Sequence, residues 1–185
     1  MPNSLKLSLL SLMVLLGACR SAPVHYHTLM PPHAGGTHQA SGEEIQIERL
    51  TVPAQVDRTQ IVIREGNSGL AILEFDWWGA TLADEFQGAL QDQLDGGAQR
   101  KSSVRVEVQR FDSLPGHYAL LEAKWRLRSL GANNNAAELT CRTTLQTPSG
   151  ATIDELVAAH QNNVKRLAAT INQASRSAGT CPAVH

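Results

Sequence analysis

The chain has 185 residues, 42% of them hydrophobic, and carries 16 basic against 17 acidic side chains, a net charge of −1 at neutral pH. That length suits one ordinary domain. The absence of a basic excess argues against a chain built to grip nucleic acid.

The first element is the apolar run Leu7 to Leu16, preceded by Lys6. As a helix it would span about 15 Å, roughly half of a bilayer core, so it is not a transmembrane segment. A weak positive start, a short apolar stretch and small residues Gly17 and Ala18 fit a signal peptide. Leu16-Gly17-Ala18-Cys19 resembles the lipobox of bacterial lipoproteins. The resemblance implies a diacylglyceryl group on the Cys19 sulfur, cleavage after Ala18 and acylation of the new amine. Several acyl chains at about 0.8 kcal/mol per CH₂ anchor a protein far better than one. An ordinary secretory signal with a chance cysteine is the alternative. Arg20 follows the cysteine, not the aspartate that often retains enteric lipoproteins in the inner membrane, which favours the outer membrane.

With Cys19 assigned to lipid, Cys141 and Cys181 remain as an even pair in an oxidising compartment. A disulfide between them is expected, against the alternative of two free thiols. The chain then divides into a signal peptide (1–18), a lipidated tether (19–42) and a folded domain (43–185). The tether is rich in proline and glycine and holds His25, His27, His33 and His38. A histidine tract can suggest a metal. No cysteine or carboxylate lies among these four to complete a site, so no metal is expected.

The domain opens with the alternating strand Ile45-Gln46-Ile47, broken by Pro53. Gln60 to Arg64 and Leu70 to Phe75 flank the turn Gly66-Asn67-Ser68-Gly69 and predict a hairpin. Trp78, Leu82, Phe86, Leu90 and Leu94 recur every fourth residue and predict one helix face. Three further strands follow. Val104, Val106 and Val108 alternate with charge. Ala119, Leu121, Ala123, Trp125 and Leu127 oppose Glu122, Lys124, Arg126 and Arg128. Leu139, Cys141, Thr143 and Leu145 alternate on the return. Thr152 and Glu155 form a capping box for a last helix whose apolar stripe runs from Ile153 to Ile171. The order β-β-β-α-β-β-β-α predicts an α+β fold: one mostly antiparallel or mixed sheet with both helices on its apolar face.

The segment Pro53-Ala54-Gln55-Val56-Asp57-Arg58-Thr59-Gln60-Ile61-Val62 resembles a signature of the ABC-type transport auxiliary lipoproteins, the family of the paraquat-inducible (Pqi) membrane-integrity lipoprotein. Thr59 stands where that family usually has proline. Trp78-Gly79-Ala80-Thr81-Leu82 keeps only the ends of the family's Trp-Ala-Glu-Pro-Leu-like stretch. His25-Tyr26-His27-Thr28-Leu29 looks like the aromatic stretch by which such chains enter the fold. The resemblance implies a periplasm-facing outer-membrane lipoprotein. It would serve as an accessory to an ABC transporter or to an MCE-type substrate-binding protein that moves lipid between membranes. An edge strand could also pair with a second copy and build a homo-oligomer.

Nothing in the sequence converges on a reaction. It has no phosphate-binding G-x-x-x-x-G-K-[ST], G-x-S-x-G, H-E-x-x-H or C-x-x-C pattern. A non-enzymatic protein without a cofactor is expected. His160 reads as a histidine at the edge of the core, and Asp84-Glu85 and Asp154-Glu155 as charges suited to first helical turns. The candidate partner contacts are Asp57 and Arg58, just before a strand, and Trp77. Trp77 cannot share a face with its neighbour Trp78, so it is expected to stay partly exposed. The competing function is a structural or regulatory envelope lipoprotein, such as an activator of a cell-wall synthase.

Overall fold

The computed structural model describes residues 22–32, 42–95, 97–130, 136–177 and 180–182. The stretch expected to be a signal peptide (1–18), Cys19, His33 and His38 lie outside these residues. The order of elements is β1 (His25–His27), β2 (Gly42–Thr51), β3 (Gln60–Glu65), β4 (Gly69–Trp78), α1 (Leu82–Leu94), β5 (Gly97–Leu114), β6 (Tyr118–Leu130), β7 (Ala136–Pro148) and α2 (Ile153–Arg176).

The strands form two sheets, not the single sheet expected from the sequence. One has the order β1-β4-β3, the other β2-β5-β6-β7. Alternation tells which face of a strand is buried, but not which strand lies beside it. The division arises at Pro53. A tight turn there, with Val56 and Asp57 amides bonded to the Pro53 carbonyl at 3.0 and 3.1 Å, redirects the chain and buries Val56. The β3–β4 hairpin therefore leaves β2 behind. β2 pairs in parallel with β5 instead, and β1 pairs in parallel with β4. The expected hairpin turn is present, and Gly66 within it has φ +58°, a conformation costly for residues with a Cβ.

Both helices lie against the four-stranded sheet and against each other. On β6, Ala119, Leu121, Ala123, Trp125 and Leu127 all face this core, as their alternation predicts. Trp125 is 1% exposed, and its indole N–H donates to the Thr143 hydroxyl at 2.9 Å, so its one polar atom is satisfied. Phe86 of α1 meets Phe111 edge to face at 6.3 Å, and Trp78 meets the same ring at 6.4 Å. These rings join the small sheet to the large core. Arg64 of β3 also reaches the buried carboxylate of Asp112 on β5 at 2.9 Å.

Trp78 is buried but ends β4 and does not open the helix. α1 starts at Leu82 behind the cap Thr81, whose side chain accepts from the Asp84 amide at 3.3 Å. The capping box of α2 is formed in both directions between Thr152 and Glu155. These hydrogen bonds hold the Glu155 carboxyl below its ordinary range. The Cys141 and Cys181 sulfurs are bonded, with their Cα atoms 5.7 Å apart, and the tail is pinned to the outer strand β7.

The stretch read as tether contains a docked piece. The Glu85 carboxylate accepts from the Thr28 hydroxyl at 2.8 Å and the Leu29 amide at 2.9 Å, and Leu29 is buried. Gln161 of α2 donates to the Thr28 carbonyl at 2.9 Å. The sequence hides this because the anchoring carboxylate sits on a distant helix.

Candidate docking surface

The chain from Asp57 to Thr59 runs beside the end of β4. Trp78 N–H donates to the Thr59 carbonyl at 2.6 Å, and Leu82 N–H to the Arg58 carbonyl at 3.3 Å. The structure therefore brings Asp57, Arg58 and Trp77 to one end of the small sheet, with different tasks.

Asp57 points at a helix. Its Oδ1 accepts from the Ala83 amide at 3.2 Å. A carboxylate there satisfies a free N–H and suits the positive end of the helix dipole. Arg58 is half-buried, and its Nε finds no hydrogen-bond partner among the described residues. Trp77 is half-buried on the central strand. Its indole N–H donates to the Glu74 carbonyl at 2.9 Å, and its ring meets Tyr26 edge to face at 6.3 Å.

Register places Tyr26, Trp77 and Gln60 in one row across β1, β4 and β3. Gln60 pairs with Trp77 and Val62 with Ile72, so β4 carries extra residues between these pairs. This bulge returns Ile72 and Trp77 to the same face. Tyr26 is 67% exposed, and Leu70, Ile72 and Phe75 also lie open to solvent. The small sheet thus presents aromatic and aliphatic side chains of the kind that anchor protein interfaces. Sequence reasoning points to Trp77 but places Leu70, Ile72 and Phe75 merely in a hairpin strand. Tyr26 falls inside the presumed tether. The signal present is the aromatic between two histidines, which pairs with Trp77 only through a parallel contact distant in sequence.

The described members of the histidine tract face carboxylates. His27 Nε2 lies 3.1 Å from Asp76 and its Nδ1 3.3 Å from Asp154, while His25 lies 3.7 Å from Asp76. These contacts tie β1 to β4 and to the start of α2. Among the described residues no cluster has the geometry to hold a metal ion.

One arrangement resembles catalytic chemistry. The Ser113 hydroxyl and His160 Nε2 are 2.8 Å apart. A nucleophile needs access and a base oriented through its second nitrogen. Ser113 is 2% and His160 1% exposed, and His160 Nδ1 has no partner among the described residues. The imidazole stacks on Phe111 at 3.9 Å. Burial outweighs the nearby Asp112 carboxylate and lowers the His160 pKa to about 3. A base buried away from solvent, with so low a pKa, is a core side chain.

The family model for the ABC-type transport auxiliary lipoprotein component matches residues 27–172. The chain belongs to this family. Among curated proteins, none matches the chain. A crystal structure of an uncharacterised protein is similar at TM-score 0.63 and 15% identity, covering 83% of this chain and 99% of that one. A crystal structure of a protein from Xanthomonas campestris is similar at TM-score 0.57 and 13% identity, covering 84% and 99%. Likeness at such identity concerns the fold. This auxiliary lipoprotein thus shares its architecture with proteins of very different sequence.

Proposed function

We propose that this auxiliary lipoprotein is a non-enzymatic accessory subunit of an intermembrane lipid transport system of the Pqi type. It is anchored through Cys19 in the outer membrane, faces the periplasm, and docks an MCE-type protein or a transporter subunit. The carrying observation is the row in which exposed Tyr26 meets half-buried Trp77, beside exposed Leu70 and Ile72, on a member of a transport auxiliary family. An accessory needs a surface and no reaction centre, and exposed aromatic anchors are where binding energy concentrates. The lipobox and the residue after Cys19 support the address.

The test is photo-crosslinking from position 77 in intact cells, read by mass spectrometry. An MCE-type protein or transporter subunit is expected among the products. Recovery of cell-wall enzymes in their place would overturn this reading in favour of a structural envelope role. The anchor is tested separately: Cys19→Ser should move the protein from the membrane to the soluble periplasmic fraction.

A further inference from the structure

The solvent face of the four-stranded sheet carries an arrangement that stability alone does not favour. Arg49 of β2 is in register with Arg105 of β5, and Arg105 with Arg126 of β6. Three guanidinium groups thus lie in one row across neighbouring strands, which are spaced by about 4.8 Å. Like charges directly opposite one another destabilise a sheet. The row is also not a simple result of alternation. Ile45 and Ile47 face the core, so unbroken alternation would turn Arg49 inward as well. A register shift between Ile47 and Arg49 leaves both Glu48 and Arg49 outside. Bulges commonly re-aim a side chain in this way.

The carboxylates nearby neutralise only part of the row. Glu48 pairs with Arg105 at 2.7 Å and Glu138 with Arg126 at 3.3 Å. Hydrogen bonds from Ser103 and Arg105 keep Glu48 below the ordinary carboxylate range. Arg49 and Lys124 form no ion pair among the described residues. All four cations border a groove of about 420 Å³ in which Glu107 is the one carboxylate among the described residues.

We propose that this groove binds a phosphate group. Guanidinium forks match the several acceptor oxygens of a phosphate, and an ammonium beside them adds charge. The volume suits a small ligand or a single headgroup. The groove lacks the exposed aromatic anchor of a protein interface. Its tryptophan, Trp125, has its ring in the core, and the exposed anchors lie on the other sheet. The phosphate belongs either to an anionic lipid headgroup or to free inorganic phosphate.

The full chain in neutral detergent is titrated with inorganic phosphate and, separately, with monomeric short-chain phosphatidylglycerol, both read by phosphorus NMR. At least one probe should bind. Arg49→Gln and Lys124→Ala should each weaken that binding by about tenfold, the scale of a lost charge-assisted hydrogen bond. The melting temperature of Arg49→Gln should be unchanged or higher, since Arg49 lies opposite Arg105 and has no ion pair among the described residues, whereas Lys124 lies opposite Glu107 and its removal should lower the melting temperature only slightly. Trp77→Ala should bind both probes as the wild type does. Lipid that resists competition by excess phosphate identifies a headgroup site, and binding of phosphate alone identifies a free-anion site. Failure of both probes to bind the wild type, or wild-type binding by both cation variants, overturns the proposal.

Discussion

The two sheets differ in what they show to water. The large sheet buries one face under two helices and covers the other with Arg105, Lys124, Arg126, Arg128 and Arg142. The small sheet leaves Tyr26, Leu70, Ile72 and Phe75 exposed. The first pattern is what a sheet needs in order to fold. The second is not, because apolar area left in water forgoes the stabilisation of about 25 cal/mol per Å² that burial brings. On the proposed function, stability and association fall to different sheets, and substitutions should separate them.

The largest effect is expected inside the large sheet. Trp125→Ala removes the largest fully buried side chain and leaves the Thr143 hydroxyl without its donor. Cavity and lost hydrogen bond together should cost about 5 kcal/mol, measured by urea unfolding. A loss near 1 kcal/mol would mean the core does not sit between this sheet and its helices. Next is the covalent link on β7. The Cys141–Cys181 bond closes a separation of 40 residues, worth about 4 kcal/mol on the chain-entropy account. Reduction should lower the melting temperature accordingly, and alkylation without reductant should add no mass to either cysteine.

The seam between the sheets should respond to acid. His160 stays neutral in the folded protein down to a pKa of about 3, whereas a histidine in the unfolded chain titrates near 6.5. Between these values the unfolded chain binds a proton that the folded chain does not. The folded state therefore has its full stability above about pH 6.5 and loses about 1.4 kcal/mol per unit as pH falls below it. At about pH 5 the loss is about 2 kcal/mol on the same scale. His160→Gln should flatten this limb of the stability curve while leaving the surface of the small sheet unchanged. An acid limb of the same slope in the variant would assign the titration elsewhere.

The large sheet is more legible in the sequence than the small one for a physical reason. A charged side chain in a strand must reach water unless a partner neutralises it, as Arg64 does for buried Asp112, so the unbroken series Lys124, Arg126 and Arg128 defines the two faces of β6. Apolar side chains carry no such demand, and exposed and buried ones read alike. Ile72 and Leu121 look equivalent in sequence, yet one is 49% and the other 1% exposed. Local signals are legible: the Thr152 and Glu155 capping box, the Gly66 turn and the stripe of α2 all depend on neighbours in sequence. Nonlocal pairings are not. The parallel contacts of β1 with β4 and β2 with β5 divide the fold into two sheets and place Tyr26 beside Trp77. The Arg49 row is hidden for the same reason, since a bulge is defined by the partner strand.

The smallest effects on stability decide the candidate surface. Asp57→Ala should cost about 1 kcal/mol, the usual scale of a lost helix cap, because Asp57 holds the Ala83 amide. Asp57→Asn keeps an acceptor in place and should recover most of that loss. If the carboxylate acts only as a cap, both variants should retain partner crosslinking from position 77. Trp77→Ala should behave in the opposite way. The ring is half-buried and packs on an exposed tyrosine, so its removal should cost less than about 1 kcal/mol of folding stability. The partner should nevertheless be lost from a pull-down, because truncating a central aromatic anchor commonly costs about 2 kcal/mol or more of binding. Equal losses of folding and binding would make Trp77 a core residue of the small sheet. Unchanged binding would move the interface off this face and leave Tyr26 and Ile72 without a partner.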